Sequence, residues 1–430
     1  MRFLSTRGRA PAATLSEAIR NGAAPDGGLY LPEALPAAEL SRGSGLADFA
    51  AAFLRPFFEG DRLEGALEGI CRDAFDFPVP VVTPDPAKPG FRALELFHGP
   101  TGAFKDFGAR FLLACFDRIG DPADPLTVLA ATSGDTGGAV GCAAEGRDSV
   151  RAVILFPKGR VSPFQELQLT CWEEPVRALE VDGDFDDCQR LVKAAFADAA
   201  LSREHRLTSA NSINIGRLLP QMAYLAWAAA QLHGEAGEKP GLLMPTGNLG
   251  HGFAALYARA MGVPIGAVVL VTNANRTLAE WHASGRYEAR PSIATLANAM
   301  DVGAPSNFER LAALPQELRE LDVQWVDDET IRARIVSEYE ASGYVWCPHS
   351  ATAAEAYARL PEPQRAERTW LAAATAHPYK FREGIEPLIG ATIAPTPALE
   401  AILDRQARKT SIPAELEAVA NALTEERVAA

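Results

Sequence analysis

The hydrophobic pattern changes texture near residue 80. Before that point, turns such as "APDGGLYLPEALP" (24–36) mix with helix-period stretches such as 46–58, and no apolar run ends in a glycine loop. From Phe91 onward one unit recurs: an apolar run of strand length, a small-residue loop, then a helix. "TVLAATSGDTGGAVGCAAEG" carries a β-type run at 127–131, a glycine turn and an alanine-rich helix. "RAVILFP" and "VRALEVDGD" supply two more strands, "GLLMPTGNLGHGFAALYARAMG" repeats the whole unit, and "IGAVVLVTNAN" and "WLAAATAHP" continue the series. Strands alternating with helices predict parallel sheets covered on both faces. No fixed-period repeat or low-complexity tract interrupts this, and the stretch after about Pro395 reads as a charged, helix-prone tail.

At 430 residues the chain exceeds one ordinary core, so two or three domains are expected. The formal net charge of -14 argues against gripping nucleic acid or an anionic membrane through an overall field. Any anionic ligand must then be caught locally. The most apolar stretch, around 222–232, is far shorter than the roughly 18 residues of a membrane span. The six cysteines show no CxxC pair and no histidine at metal spacing, and read as small buried hydrophobes with no metal site. "MRFLSTRGRAPAATLSEAI" starts basic but lacks the apolar run of a secretory signal, and Glu17 arrives early, so the expected location is the cytoplasm.

Ligands of such folds gather where loops leave the carboxyl ends of the strands. "PTGNLGHG" (245–252) follows a strand and opens a helix, an arrangement that aims backbone N–H groups and the helix dipole at a phosphate; it serves equally as a tight turn needing glycine for its dihedrals. "TSGDTGG" (132–138) is a second such loop with added hydroxyl and carboxylate groups, so two anionic groups are expected. The stretch "HGPTGAFKDFGARF" sets Lys105 among Phe104, Asp106 and Phe107. Surroundings that exclude water lower a lysine's pKa and free an amine able to form a Schiff base; the competing reading is a lysine that reaches solvent or pairs with Asp106. A phosphate cradle, a Schiff-base lysine and a hydroxyl at a strand end are the parts that hold pyridoxal 5'-phosphate (PLP).

In order along the chain, "LFHGPTGAFKDFGARFL", "ATSGDTGGA", "LFPKGRVSPFQELQ", "VDGDFDDCQ", "NSINIGRLLPQ", "PTGNLGHG", "AMDVGAPSNFERL" and "ATAHPYKF" resemble the blocks of the threonine synthases, PLP lyases of fold type II. "STRG" and "APDGGLYLPE" look like the N-terminal extension of the longer form. The resemblance spans nearly the whole chain. It implies two open parallel-sheet α/β domains of the tryptophan synthase β-like type plus an N-terminal extension domain. These would be an extension at 1–90, a larger cofactor-binding domain at 91–104 with 211–394, a smaller domain at 105–210, and a helical tail at 395–430.

Carried over by matching blocks, Lys105 would be the Schiff-base lysine and the catalytic residue. Gly247, Asn248, Leu249, Gly250 and His251 would wrap the cofactor phosphate through main-chain amides, Asp135 would lie near the ring hydroxyl, and Thr375 would face the pyridine nitrogen. Thr132, Ser133 and Thr136 would bind the substrate carboxylate or phosphate, with Asn211 and Arg217 completing the substrate-phosphate site. The implied reaction turns O-phospho-L-homoserine and water into L-threonine and phosphate, in a monomer or homodimer that engages neither nucleic acid nor membrane. Three positions depart from the family pattern: His251 stands where asparagine is usual, and Arg276 and Cys347 stand where aspartate is usual. His98, His349 and His377 read as buried, hydrogen-bonded histidines, and Lys158 as either a phosphate attractor or an exposed strand-end lysine. Two alternatives stay open: a related phospho-lyase acting on another O-phospho amino acid, and a PLP-binding module without turnover.

Overall fold

The computed structural model describes residues 1–41, 45–132 and 134–428. The N-terminal part pairs β1 (Phe3–Ser5) with β2 (Tyr30–Pro32) in an antiparallel ribbon and adds the helix Leu46–Phe58, which ends where the sequence pattern places it. The chain lays β3 (Val81–Val82) and β4 (Phe91–Glu95) at the edge of a first large sheet. It then leaves to build β5 (Leu126–Ala131), β6 (Val150–Pro157), β7 (Val176–Asp182) and β8 (Leu207–Thr208) in a second sheet. It returns for β9 (Gly241–Pro245), β10 (Val268–Thr272), β11 (Asp322–Trp325) and β12 (Trp370–Ala374). The first sheet runs β11-β10-β9-β12-β4-β3, the second β13-β7-β6-β5-β8, where β13 is Thr410–Pro413. Every pair in both sheets is parallel except β3 with β4.

The tail therefore differs from the expectation of helix alone. β13 adds an edge strand to the second sheet beside β7, with Ile412 level with Val181, and the helix Leu416–Val428 follows it. Val419 and Leu423 join the apolar cluster of Leu179, Val181 and Leu191. A four-residue strand flanked by lysine and proline carries too little alternation to stand out in sequence.

Wholly apolar strands such as β9 and β12, buried along their length, are what a parallel sheet covered by helices requires. The helix Lys105–Ile119 is buried on nearly all sides: Phe107 lies 4.5 Å from the Phe77 ring and 5.0 Å from Tyr224. Each such buried aromatic ring contributes about 1.5–3 kcal/mol through area removed from water. That packing fixes the start of the helix, and with it Lys105. Among the described residues no helix is long and apolar enough to cross a membrane.

Candidate active site

Because β9, β12 and β4 are neighbours in that order, the segments that leave their carboxyl ends lie side by side. These are the glycine loop after β9, Thr375 after β12 and the Lys105 turn after β4. The last two are tied directly: Phe104 N–H donates to the Thr375 carbonyl at 2.8 Å, His377 N–H to the Gly102 carbonyl at 2.9 Å, and Ala103 bridges Ala376. The helix Asp135–Ala144, which follows β5 of the second sheet, brings Asp135 to the same place, within electrostatic reach of Lys105.

Lys105 is the first residue of its helix and is partly buried. Burial lowers its pKa; Asp135 opposes that, while Arg217 and Lys380 lower it further. Asp106 is not its partner. Its carboxylate accepts from Thr101 N–H at 2.9 Å and Thr101 Oγ1 at 2.6 Å, bracing the Pro-Thr-Gly turn. Gly99 is needed there, since a Cβ would fall 2.5 Å from Asp106 Oδ2. Burial pushes the Asp106 carboxyl up to about 6 against those Thr101 hydrogen bonds.

In the loop after β5, Thr132 Oγ1 accepts from the amides of Gly134 at 3.1 Å and Gly137 at 3.0 Å and itself donates to the Gly134 carbonyl. Its hydroxyl shapes the loop. Thr136 follows in the first turn of the helix, and Ser133 lies outside the described residues. Asp135 is buried, and its Oδ1 has no well-aligned hydrogen bond although Lys380 Nζ lies 3.2 Å away. That contact is charge attraction off the hydrogen-bond axis, so the oxygen keeps acceptor capacity. Burial alone would raise the Asp135 carboxyl, but Lys380, then Lys105 and His349, outweigh it and hold it at about 2.

The glycine loop is open in the opposite sense. No backbone carbonyl among the described residues accepts from the amides of Gly247 to His251. Leu249 caps the helix Gly250–Ala260 at φ 64°, a left-handed conformation that costs a leucine about 1–2 kcal/mol and turns its amide away from the helix. Gly247 lies against Met300, where a Cβ would sit 2.7 Å from the Met300 Cα. Asn248 fixes the loop from behind through Ser212 Oγ and the Ser306 amide. The His251 side chain turns inward, stacked on Phe104 at 4.7 Å and edge-on to Tyr224 at 5.8 Å. Neither ring nitrogen has a well-formed hydrogen bond, so the imidazole does not replace the donor that an asparagine would supply; burial pulls its pKa down to about 3.

Thr375 is buried beside Ser350, whose Oγ accepts from Thr375 N–H at 2.9 Å and lies 3.3 Å from Thr375 Oγ1. Ser350 is in turn held by Cys347 Sγ, which caps the helix Pro348–Arg359. The departure at Cys347 thus lies one side chain behind Thr375. The departure at Arg276 does not: it is half-exposed, near Glu280 and stacked 4.9 Å over Trp325. His349 accepts from Ala299 N–H at 3.1 Å, His98 pairs with Glu95 at 2.7 Å, His377 caps the turn Pro378–Phe381, and Lys158 is exposed.

Arg217 lies in the first turn of the helix Ile215–Ala236, packed onto Gly108, where a Cβ would fall 2.5 Å from its Nε. Nη1 donates to the Ala210 carbonyl at 2.7 Å, Nε is buried without a partner, and among the described residues no carboxylate pairs with it. Burial pulls its pKa down to about 10. Asn211 is exposed, with its side chain uncommitted among the described residues. Two buried cations escaped sequence reasoning. Arg310, fully enclosed, donates to the carbonyls of Tyr30 and Ile213 and to Asn307 Oδ1, joining the N-terminal part to the "NSIN" loop. Lys380, equally enclosed, reaches Asp135, Thr101 and Gln168. An opening of about 670 Å³, its mouth included, is lined by Ser162, Phe164, Gln165, Asn298, Pro348 and Lys380.

Open amides at a helix start, a partly buried amine, a buried carboxylate oxygen with spare capacity and a buried hydroxyl at a strand end fit a phosphorylated aromatic aldehyde. A family profile described as pyridoxal-phosphate dependent enzyme matches residues 91–376. Fold and site together place the chain in that class, in its fold type II. Profiles for the threonine synthase N terminus and the threonine synthase C-terminal region match residues 2–75 and 350–423. The threonine synthase of Serratia marcescens is 40% identical over 388 residues, 88% of each chain. The crystal structure of threonine synthase from Escherichia coli superposes with a TM-score of 0.89 at 35% identity, covering 99% of this chain and 100% of that one. The PLP-bound threonine synthase of Brucella melitensis superposes with a TM-score of 0.91 at 33% identity, covering 99% of both. The chain belongs to the threonine synthase family.

Proposed function

We propose that the chain converts O-phospho-L-homoserine and water to L-threonine and phosphate in the cytoplasm, using PLP held between the two sheets. The observation that carries the substrate is Arg217. A guanidinium buried beside Lys105 with a vacant Nε donor and, among the described residues, no carboxylate paired with it is costly unless an anion is delivered to it, and its planar fork suits a phosphate.

Bound there, PLP supplies an aldehyde that joins an amine and a conjugated ring that stabilises negative charge on substrate carbons. The amides of Gly247 to His251 would hold its phosphate, with Asp135 serving its ring hydroxyl and Thr375 its ring nitrogen. Lys105 Nζ, its pKa lowered by burial, takes the proton from the substrate α-carbon and later returns it. Arg217 and Asn211 hold the phosphate until the bond between the γ-carbon and its oxygen breaks. A proton lost from the β-carbon accompanies departure of the phosphate; water then supplies the hydroxyl at the β-carbon, and the γ-carbon gains a proton to end as a methyl group. Thr136, at the head of its helix, meets the substrate carboxylate. Walls of buried apolar side chains keep bulk water from these charges.

Incubation of the purified holoprotein with O-phospho-L-homoserine should yield L-threonine and phosphate in equal amounts. Phosphate released with no threonine would contradict this reading.

A further inference from the structure

Lys380 lies in the turn Pro378–Phe381 that follows β12, with its side chain wholly enclosed by protein. Its amine meets three acceptors: the Thr101 carbonyl at 2.7 Å, Gln168 Oε1 in the helix Pro163–Thr170, and Asp135 Oδ1 at 3.2 Å. Two of its three ammonium protons go into hydrogen bonds, to Thr101 and Gln168, and its contact with Asp135 is the charge attraction described above. Gln168 Nε2 donates to the same Thr101 carbonyl at 2.9 Å, and Thr101 is gripped by Asp106, the neighbour of Lys105. A chain of contacts therefore runs from Asp106 through Thr101 and Lys380 to Asp135, braced by Gln168, and it joins the loop after β4, the exit of β12 and two helices of the second sheet.

Asp135 has two lysines within reach, and it leans on one of them. We propose that Lys380 is a positioning residue: by engaging Asp135 within this chain of contacts, it keeps that carboxylate from pairing with Lys105 and leaves the Lys105 amine free to react. The proposal rests on the reading of Lys105 as the Schiff-base lysine. The charged and titratable groups facing Lys105 are Asp135, Arg217, Lys380 and His349; those facing Asp135 are Lys380, Lys105 and His349. The signs agree with the geometry. Both Lys380 and Arg217 lower the Lys105 pKa and Asp135 raises it, so removal of Lys380 takes away a repelling charge and releases an attracting one.

The test uses the full chain, stripped of cofactor and supplied again with PLP, following the visible absorbance of the lysine-bound cofactor from acid to alkaline pH. The pH midpoint of the rate reports the free-amine fraction at Lys105, and borohydride fixation with peptide mapping confirms the residue. Lys380→Met should move the midpoint upward by about one unit or more, a roughly tenfold loss of rate below the midpoint. Lys380→Arg should restore most of it. In the Asp135→Asn background, Lys380→Met should no longer raise the midpoint to that extent, because no carboxylate is left to release. If Lys380→Met does not fold, Asp135→Asn alone decides: the midpoint should fall, since Lys380 then repels Lys105 unopposed, and an unchanged or raised midpoint overturns the proposal. A folded Lys380→Met protein with the wild-type midpoint also overturns it, showing a residue that only packs. A wild-type chain that forms no adduct at Lys105 would instead sink the functional reading itself, and the proposal with it.

Discussion

Two threonines occupy the same place in the two sheets and do opposite things. Thr132 ends β5 and Thr246 ends β9; each donates its amide to the neighbouring strand, to Leu155 and Val271 respectively, and each opens a glycine loop into a helix. Thr132 folds its hydroxyl back onto the amides of Gly134 and Gly137, and the helix that follows presents a side chain, Asp135. The Thr246 hydroxyl is buried without a partner, and the loop behind it leaves its amides open. Loops alike in sequence thus divide into one that offers a carboxylate and one that offers backbone donors. The direction of one hydroxyl separates them.

The contrast can be broken most severely at Gly247. In Gly247→Ala the added carbon meets Met300 backbone that has nowhere to go, so the loop must shift. An amide bond to a charged phosphate contributes about 1.5–3 kcal/mol, and misplacing two lowers PLP affinity by roughly two to four orders of magnitude in equilibrium dialysis. An affinity near wild type would mean that the phosphate sits elsewhere.

His251 gives the next largest effect. Its folded pKa of about 3 lies below the ordinary value of 6.5, so the folded chain refuses a proton that the unfolded chain accepts. Stability should be intact above pH 6.5 and fall as pH drops toward 3, by about 2 kcal/mol at pH 5 from this group alone. In His251→Asn, denaturant titrations over that window should show a slope shallower by up to one proton, whatever happens to absolute stability. An unaltered slope would place the imidazole in contact with water.

The two threonines give the finest test. Thr132→Val strands the buried Gly134 amide, while the Gly137 amide keeps the Gly134 carbonyl, and should cost about 1–3 kcal/mol of stability, with PLP affinity held within about threefold. Thr246→Val removes a hydroxyl that bonds nothing among the described residues, so its stability should change by no more than about 0.5 kcal/mol while PLP affinity falls by up to roughly tenfold. Identical behaviour of the two variants would erase the distinction.

The strand, loop and helix series was legible because wholly apolar strands and glycine turns are local signals, and the Lys105 turn and both loops stood out for the same reason. What stayed hidden depends on contacts between distant residues. Lys380 lies 279 positions from Thr101, and in sequence it is one lysine between two aromatic residues. Arg310 meets Tyr30 across 280 positions, and no spacing rule marks a guanidinium that serves carbonyls rather than acids. The three departures from the family pattern looked alike in sequence, yet His251 fills an aromatic slot, Cys347 backs Thr375 through Ser350, and Arg276 covers a surface tryptophan. Position in the fold, not residue type, separates them.

The account turns on which of two buried-site lysines carries the cofactor. Burial lowers the pKa of Lys105, while Lys380 is tied by hydrogen bonds to Thr101 and Gln168 and by charge to Asp135. Borohydride reduction of the holoprotein followed by peptide mapping should place a single pyridoxyl group on Lys105. A pyridoxyl group on Lys380 would contradict the assignment of both residues.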